Sequence, residues 1–190
     1  MNLQRRERIL NLSIELGAIR YGDFTLSSGE KSNYYFDGRL VTLHPEGSFL
    51  IANELQEIAQ RMGASAIGGP TLGADPMVGA TVLLSYQQGH PLAGFIVRNA
   101  PKDHGMGNQL EGVVKNGEKI IIVDDTCSTG GSLIRSVDLV ENAGATVIQV
   151  ITVLDRNQGG KEKLEKRGYN FTSLLLTGGN GSIEVNTKET

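Results

Sequence analysis

The first sixteen residues, MNLQRRERILNLSIEL, set Ile9, Leu12 and Leu16 on one stripe at helical spacing, with charged residues between them. That pattern predicts an amphipathic helix. Residues 17–40 change character. Glycine, serine and aromatic residues dominate there, and the segment reads as short strands and turns. Pro45–Met62 returns to helical spacing, with Phe49, Ile51, Ala52, Leu55, Ile58 and Ala59 as apolar positions and Gly63 as the stop.

From there the pattern alternates. Residues 65–69 predict a short apolar strand that runs into the turn Gly69-Pro70-Thr71-Leu72-Gly73. Residues 74–88 predict a helix and 92–97 a strand. Residues 98–112 are polar and glycine-containing, too long for a minimal connection. Residues 119–123 form a strongly β-branched strand, Gly131–Asn142 a helix stopped by Gly144, and 146–154 another β-branched run. Strands and helices alternating at this length imply βαβ units, hence an α/β fold with a mostly parallel central sheet flanked by helices. The 190 residues suit one domain. About residues 1–45 would form a small N-terminal hood of helix and strands, and about 46–176 the core. The polar, glycine-rich tail 177–190 is expected to be flexible.

Composition narrows the partners. A formal net charge of −3 gives no overall pull toward nucleic acid or an anionic membrane, so an anionic ligand must be held by local groups. No apolar run approaches the ~20 residues that span a bilayer. The N-terminal segment lacks the apolar centre of a signal peptide, and Glu7 and Glu15 argue against a transit peptide. Cys127 is the one cysteine, which excludes an intramolecular disulfide and a cysteine metal cluster and fits a reducing, cytoplasmic setting. It reads as a small packing residue, although its place in a loop could expose it to oxidation. His44 and His90 stand beside turn residues and read as solvated.

Candidate chemistry concentrates in residues 120–132, IIIVDDTCSTGGS. Asp124 and Asp125 follow the strand, and Thr126, Cys127, Ser128, Thr129, Gly130, Gly131 and Ser132 lead into a helix. In open α/β sheets ligands bind beyond the carboxyl ends of strands. A helix N-terminus offers free N–H groups and a positive dipole end, which suits phosphate, while glycines and small hydroxyl residues let the backbone approach closely. Two carboxylates repel phosphate, so they need another partner: sugar hydroxyls, or a metal bound to them. The combination suggests a sugar phosphate. No GxxxxGK[ST] or strand-borne GxGxxG points to a nucleotide loop instead. An ordinary capped turn explains an isolated Asp-Ser step better than it explains the full string.

That string resembles the 5-phosphoribosyl 1-diphosphate (PRPP) loop of the type I phosphoribosyltransferases. Four further segments resemble the orotate phosphoribosyltransferase family in particular: FTLSSGEKSNYYFDGR from Phe24, GGPTLGADP from Gly68, VRNAPKDHGMGNQLEG from Val97 and LDRNQGG from Leu154. With the loop they span about residues 17–160 in the family's order.

The resemblance implies transfer of phosphoribosyl from PRPP to orotate, giving orotidine 5′-phosphate and pyrophosphate in pyrimidine biosynthesis. It also implies Mg²⁺ held mainly through PRPP, and a homodimer in which loop 98–112 reaches the neighbouring site. Asp124 and Asp125 would bind ribose hydroxyls and residues 126–132 the 5′-phosphate. Leu72 and Gly73 would belong to a second diphosphate loop, and Arg98, Lys102 and His104 would neutralise the leaving group. Tyr35, Phe36, Ser128 and Arg156 would take orotate. Taken alone, Arg156 reads better as a surface salt bridge, and Tyr35 and Phe36 read equally as core packing. The family usually has lysine where this chain has Asn99, and often lysine where it has Ser27. Other readings are transfer to adenine or another pyrimidine, or a PRPP-sensing regulator, although no basic nucleic-acid-binding segment is added.

Overall fold

The computed structural model describes residues 2–25, 31–100 and 109–188. Fifteen elements run through them in chain order. They are α1 (Leu3–Glu15), β1 (Ile19–Thr25), β2 (Lys31–Phe36), α2 (Arg39–Thr42), α3 (Pro45–Met62), β3 (Ala66–Pro70), α4 (Asp75–Gln87) and β4 (Ala93–Val97), then β5 (Leu110–Gly112), β6 (Lys119–Cys127), α5 (Gly131–Asn142), β7 (Thr146–Asp155), α6 (Gly160–Lys166), β8 (Phe171–Thr177) and β9 (Ile183–Val185).

Seven strands make one sheet in the order β5-β4-β3-β6-β7-β8-β9. Its five inner strands pair in parallel, and β5 and β9 close the two edges antiparallel. Strand β6 lies at the centre and is apolar on both faces, as a doubly covered parallel strand must be. Ile121 and Val123 enter one core with Ile9 and Leu12 of α1, Ile51, Leu55 and Ile58 of α3, and Met77 of α4. Ile120 and Ile122 enter the other, against Leu133, Val137 and Val140 of α5. The predicted mostly parallel sheet with flanking helices is the observed one, and β1 and β2 form a separate antiparallel pair above it.

Several expectations are corrected. The acidic pair does not follow the central strand but lies within it, two residues before its end: Asp124 pairs with Thr152, and Cys127 with Asp155. The long polar connection contains β5, which pairs with β4 through Val97 and Leu110. The hydrophobic pattern assigns no element to Phe171–Thr177, where the structure places the largely buried strand β8. The tail expected to fray from residue 177 carries β9 instead. Side-chain and backbone groups beyond it hold it down: Asn186 Nδ2 donates to the Ser173 carbonyl at 3.0 Å, and Arg6 Nη1 donates to the Asn186 carbonyl at 2.7 Å. Arg6 and Glu54 are each 1% exposed and pair at 3.3 Å, joining α1 to α3. No helix among the described residues is long and apolar enough to cross a membrane.

Candidate active site

The carboxyl ends of β3, β6 and β7 bring the predicted segments together. Asp124 is buried and accepts from Ser132 Oγ at 3.3 Å and from the Asp125 backbone N–H at 2.9 Å. Burial, reinforced by the neighbouring Asp125 charge, pushes the Asp124 carboxyl well above the usual carboxylate range. Burial also raises Asp125, opposed by the positive charge of Arg39. Two backbone segments press against the pair. A Cβ added at Gly73 would lie 2.4 Å from Asp124 Oδ1 and 2.6 Å from Asp125 Oδ1; one added at Gly38 would lie 2.8 Å from Asp125 Oδ2. A side chain at either place would have to displace the carboxylates. Gly73 was expected at the site on sequence; Gly38, which opens the turn of α2, was not.

Beyond the acids the chain turns into α5. Gly130 adopts φ 77° at the N-cap, and no side chain caps the helix. The first-turn N–H groups therefore have no side-chain acceptor, the arrangement that suits phosphate. Thr129 and Gly131 are exposed; Thr126, Ser128 and Ser132 are half-buried. Cys127 is not a loop residue in its environment. It sits in the α5-side core, and burial pushes its thiol up to about 12, so the packing reading holds and reactivity is suppressed.

The start of α6 buttresses this loop. The Gly160 N–H donates to the Ser128 carbonyl at 2.9 Å, and Lys163 Nζ donates to the Thr129 carbonyl at 3.1 Å. A Cβ at Gly160 would meet Cys127 Sγ at 2.4 Å and the Ser128 carbonyl oxygen at 2.6 Å. The Arg156 N–H donates to the Cys127 carbonyl at 2.8 Å, so the segment carrying Arg156 is joined to the same loop.

Arg156 reaches the hood. Its Nη2 donates to the Phe36 carbonyl at 3.4 Å, its guanidinium carbon lies 5.6 Å from the Tyr34 ring centroid, and its buried Nε has no partner among the described residues. A cleft of about 550 Å³ opens here, lined by Lys31, Asn33, Tyr34, Arg156 and Asn157 among others. The two predicted aromatics divide. Phe36 packs into the core and offers the cleft's arginine its carbonyl, whereas Tyr35 stacks outside it, 5.8 Å from Phe24 and 5.2 Å from the Arg20 guanidinium. Tyr34, which sequence did not single out, is the ring beside Arg156; its hydroxyl pairs with Thr177 Oγ1 at 2.8 Å.

Leu72 is exposed, and the Thr71–Leu72 peptide is cis. Arg98 follows β4 and pairs with Glu111 at 3.4 Å. Lys102 and His104 lie outside the described residues, as does Ser27. His90 touches Gln60 Nε2 at 2.8 Å, and His44 precedes α3 with a buried Nδ1, so it is less solvated than expected. No group of three or more His, Cys, Asp or Glu among the described residues is arranged to hold a metal ion.

The chain was compared with known proteins. The phosphoribosyl transferase domain matches residues 87–172. The orotate phosphoribosyltransferase of Rhodopirellula baltica is 41% identical over 167 residues, 85% of this chain and 86% of that protein. The Aquifex aeolicus orotate phosphoribosyltransferase is 38% identical over 178 residues, covering 92% and 97%. This chain belongs to the orotate phosphoribosyltransferase family. A crystal structure of the family's Mycobacterium tuberculosis member in complex with PRPP superposes with a TM-score of 0.74 at 34% identity. That match covers 90% of this chain and 96% of the other. Residues 126–132 fall within the matched domain.

Proposed function

We propose that this site transfers the phosphoribosyl group of PRPP to orotate, releasing pyrophosphate. The observation that carries the reading is one constellation: a buried Asp124 beside a half-buried Asp125 near the end of the central strand, an uncapped helix shortly after it, and an arginine with free donor capacity on the adjoining strand end. The bond from the anomeric carbon to an orotate ring nitrogen forms as the carbon–oxygen bond to diphosphate breaks, and the diphosphate leaves with the electron pair. Asp124 and Asp125 hold the ribose hydroxyls, and residues 126–132 hold the 5′-phosphate. Leu72 and Gly73, with Arg98, Lys102 and His104, hold the diphosphate. Ser128 and Arg156 orient orotate, with the Tyr34 ring and the Phe36 backbone beside it and Tyr35 stacked outside the cleft. The protein contributes orientation and fixed charge rather than covalent chemistry.

Mg²⁺ suits this donor set. Two raised carboxylates favour positive charge nearby, and an ion held mostly by diphosphate oxygens needs no protein cage. When bound, it would neutralise the diphosphate. A homodimer is supported by α4, whose Gly79, Leu83 and Tyr86 fall on one stripe and are exposed, with Tyr86 at 78%. In that dimer loop 98–112 would reach the neighbouring site. A cytoplasmic setting is supported by the single free, buried Cys127.

The test follows loss of orotate absorbance with PRPP and Mg²⁺; turnover is expected. PRPP binding without turnover would favour a PRPP sensor, the reading that Asn99 in place of the family's lysine supports. Base choice is tested by Arg156→Ala. It should raise KM for orotate by about 10- to 100-fold and leave that for PRPP nearly unchanged. Equal effects on both would remove Arg156 from the base site, and preferred use of adenine or another pyrimidine would replace orotate as acceptor.

A further inference from the structure

Arg135 stands one turn into α5, three residues beyond the Ser132 that donates to Asp124. Its Nη2 donates to Asn99 Oδ1 at 2.7 Å and its Nη1 to the Asn99 carbonyl at 3.4 Å. Asn99 Nδ2 donates onward to the Thr71 carbonyl at 3.3 Å. A single chain of contacts thus runs from the helix that begins at the phosphate loop, through the residue after Arg98, to the loop whose Gly73 presses on both aspartates. Thr71 is itself held to β4, its N–H donating to the Val97 carbonyl at 2.9 Å.

The residue types match this task. A guanidinium is a planar fork that grips two acceptors at once, and Asn99 supplies two, one from its backbone and one from its side chain. An asparagine can accept from Arg135 and donate to Thr71 together. A lysine at 99 could only donate, and would face the Arg135 charge across the same gap. Asn99 and Arg135 are therefore a matched pair, with a positive charge carried on the helix instead of at position 99. The Arg135 Nε is buried with no partner among the described residues, so the pair has donor capacity left over.

We propose that Arg135, acting through Asn99, is a positioning residue for the diphosphate end of PRPP, locking the 71–73 loop and the strand end that bears Arg98 to the phosphate-loop helix. This rests on the phosphoribosyl-transfer reading above.

The test compares wild type with Arg135→Gln, Asn99→Ala, the double variant and Arg135→Lys. It measures the Kd of PRPP with Mg²⁺ by calorimetry, KM for each substrate, and the thermal midpoint. Arg135→Gln is expected to raise the PRPP Kd about tenfold, with orotate KM and thermal midpoint little changed. Arg135→Lys should recover part of the loss, and the double variant should be no worse than the weaker-binding single one, because the two residues act as a unit. Unchanged PRPP affinity in Arg135→Gln, or losses that multiply in the double variant, would overturn the proposal. So would equal losses for both substrates with a lowered midpoint, which would make Arg135 general scaffold. A wild type that binds PRPP but never consumes orotate would sink the transfer reading alone, since the calorimetric arm needs no orotate.

Discussion

Asp124 is costly to the empty protein. It keeps 7% of its surface in water and sits beside a second carboxylate, so its proton is held more tightly in the folded chain than in the unfolded one. The sign of the linkage follows. Above the ordinary carboxylate range near pH 4 the folded state binds more protons, so stability falls as pH rises through the raised value. Asp124→Asn should therefore raise the thermal midpoint at pH 8 by roughly 2–6 °C while abolishing transfer, and the gain should disappear near pH 4. Scanning calorimetry across that range checks it; a gain independent of pH would mean the charge is not the cause. The acid pair stood out in sequence because it lies in a string whose chemistry is local, whereas Arg156 stood out only through the resemblance of its segment to the family. Gly38, Tyr34 and Arg135 were not, because what gives them meaning is a neighbour brought in from another part of the chain. No periodicity records that Gly38 will lie against Asp125.

Helices were the most legible elements and short strands the least. Pro45–Met62 and Gly131–Asn142 coincide with their expected spans because their boundary signals are local: Pro45 at the start of the first, and Gly63 at φ 68° ending it. Strand β9 has three residues and is held by tertiary contacts, its pairing with β8 and the anchor at Asn186 among them, so its sequence resembles a loose tail. The junction between α6 and the phosphate loop gives a test at this scale. Gly160→Ala would drive a methyl group into the Ser128 carbonyl and the Cys127 sulfur, and the backbone oxygen cannot swing aside. A destabilisation of about 1–3 kcal/mol is expected, together with a KM for PRPP that rises more than that for orotate. Chemical denaturation and steady-state kinetics read the two effects; an unchanged KM would show that the loop is shaped without α6.

Across the molecule, the sheet separates two apolar cores, and the alternation of β6 between them is what made the fold class readable from sequence. The closure of the chain ends was not readable. Arg6 and Glu54 lie buried against one another, with Arg5 Nη1 donating to the same carboxylate at 3.0 Å and Arg6 also holding the segment after β9. Charged residues so placed look like surface positions in a helical pattern. Glu54→Ala would remove the buried carboxylate that Arg5 and Arg6 share and should cost about 3–5 kcal/mol in urea unfolding; a cost under about 1 kcal/mol would show that water reaches the pair. The hydrogen bond from the Arg156 N–H to the Cys127 carbonyl has a consequence of another kind. On the proposed roles it would couple the grip on the acceptor to the grip on the ribose phosphate through neighbouring parallel strands, which lie about 4.8 Å apart. The site is in effect a caliper with one jaw on each strand. Side chains can change what each jaw holds, while the opening between them follows the spacing of the backbone strands that carry them.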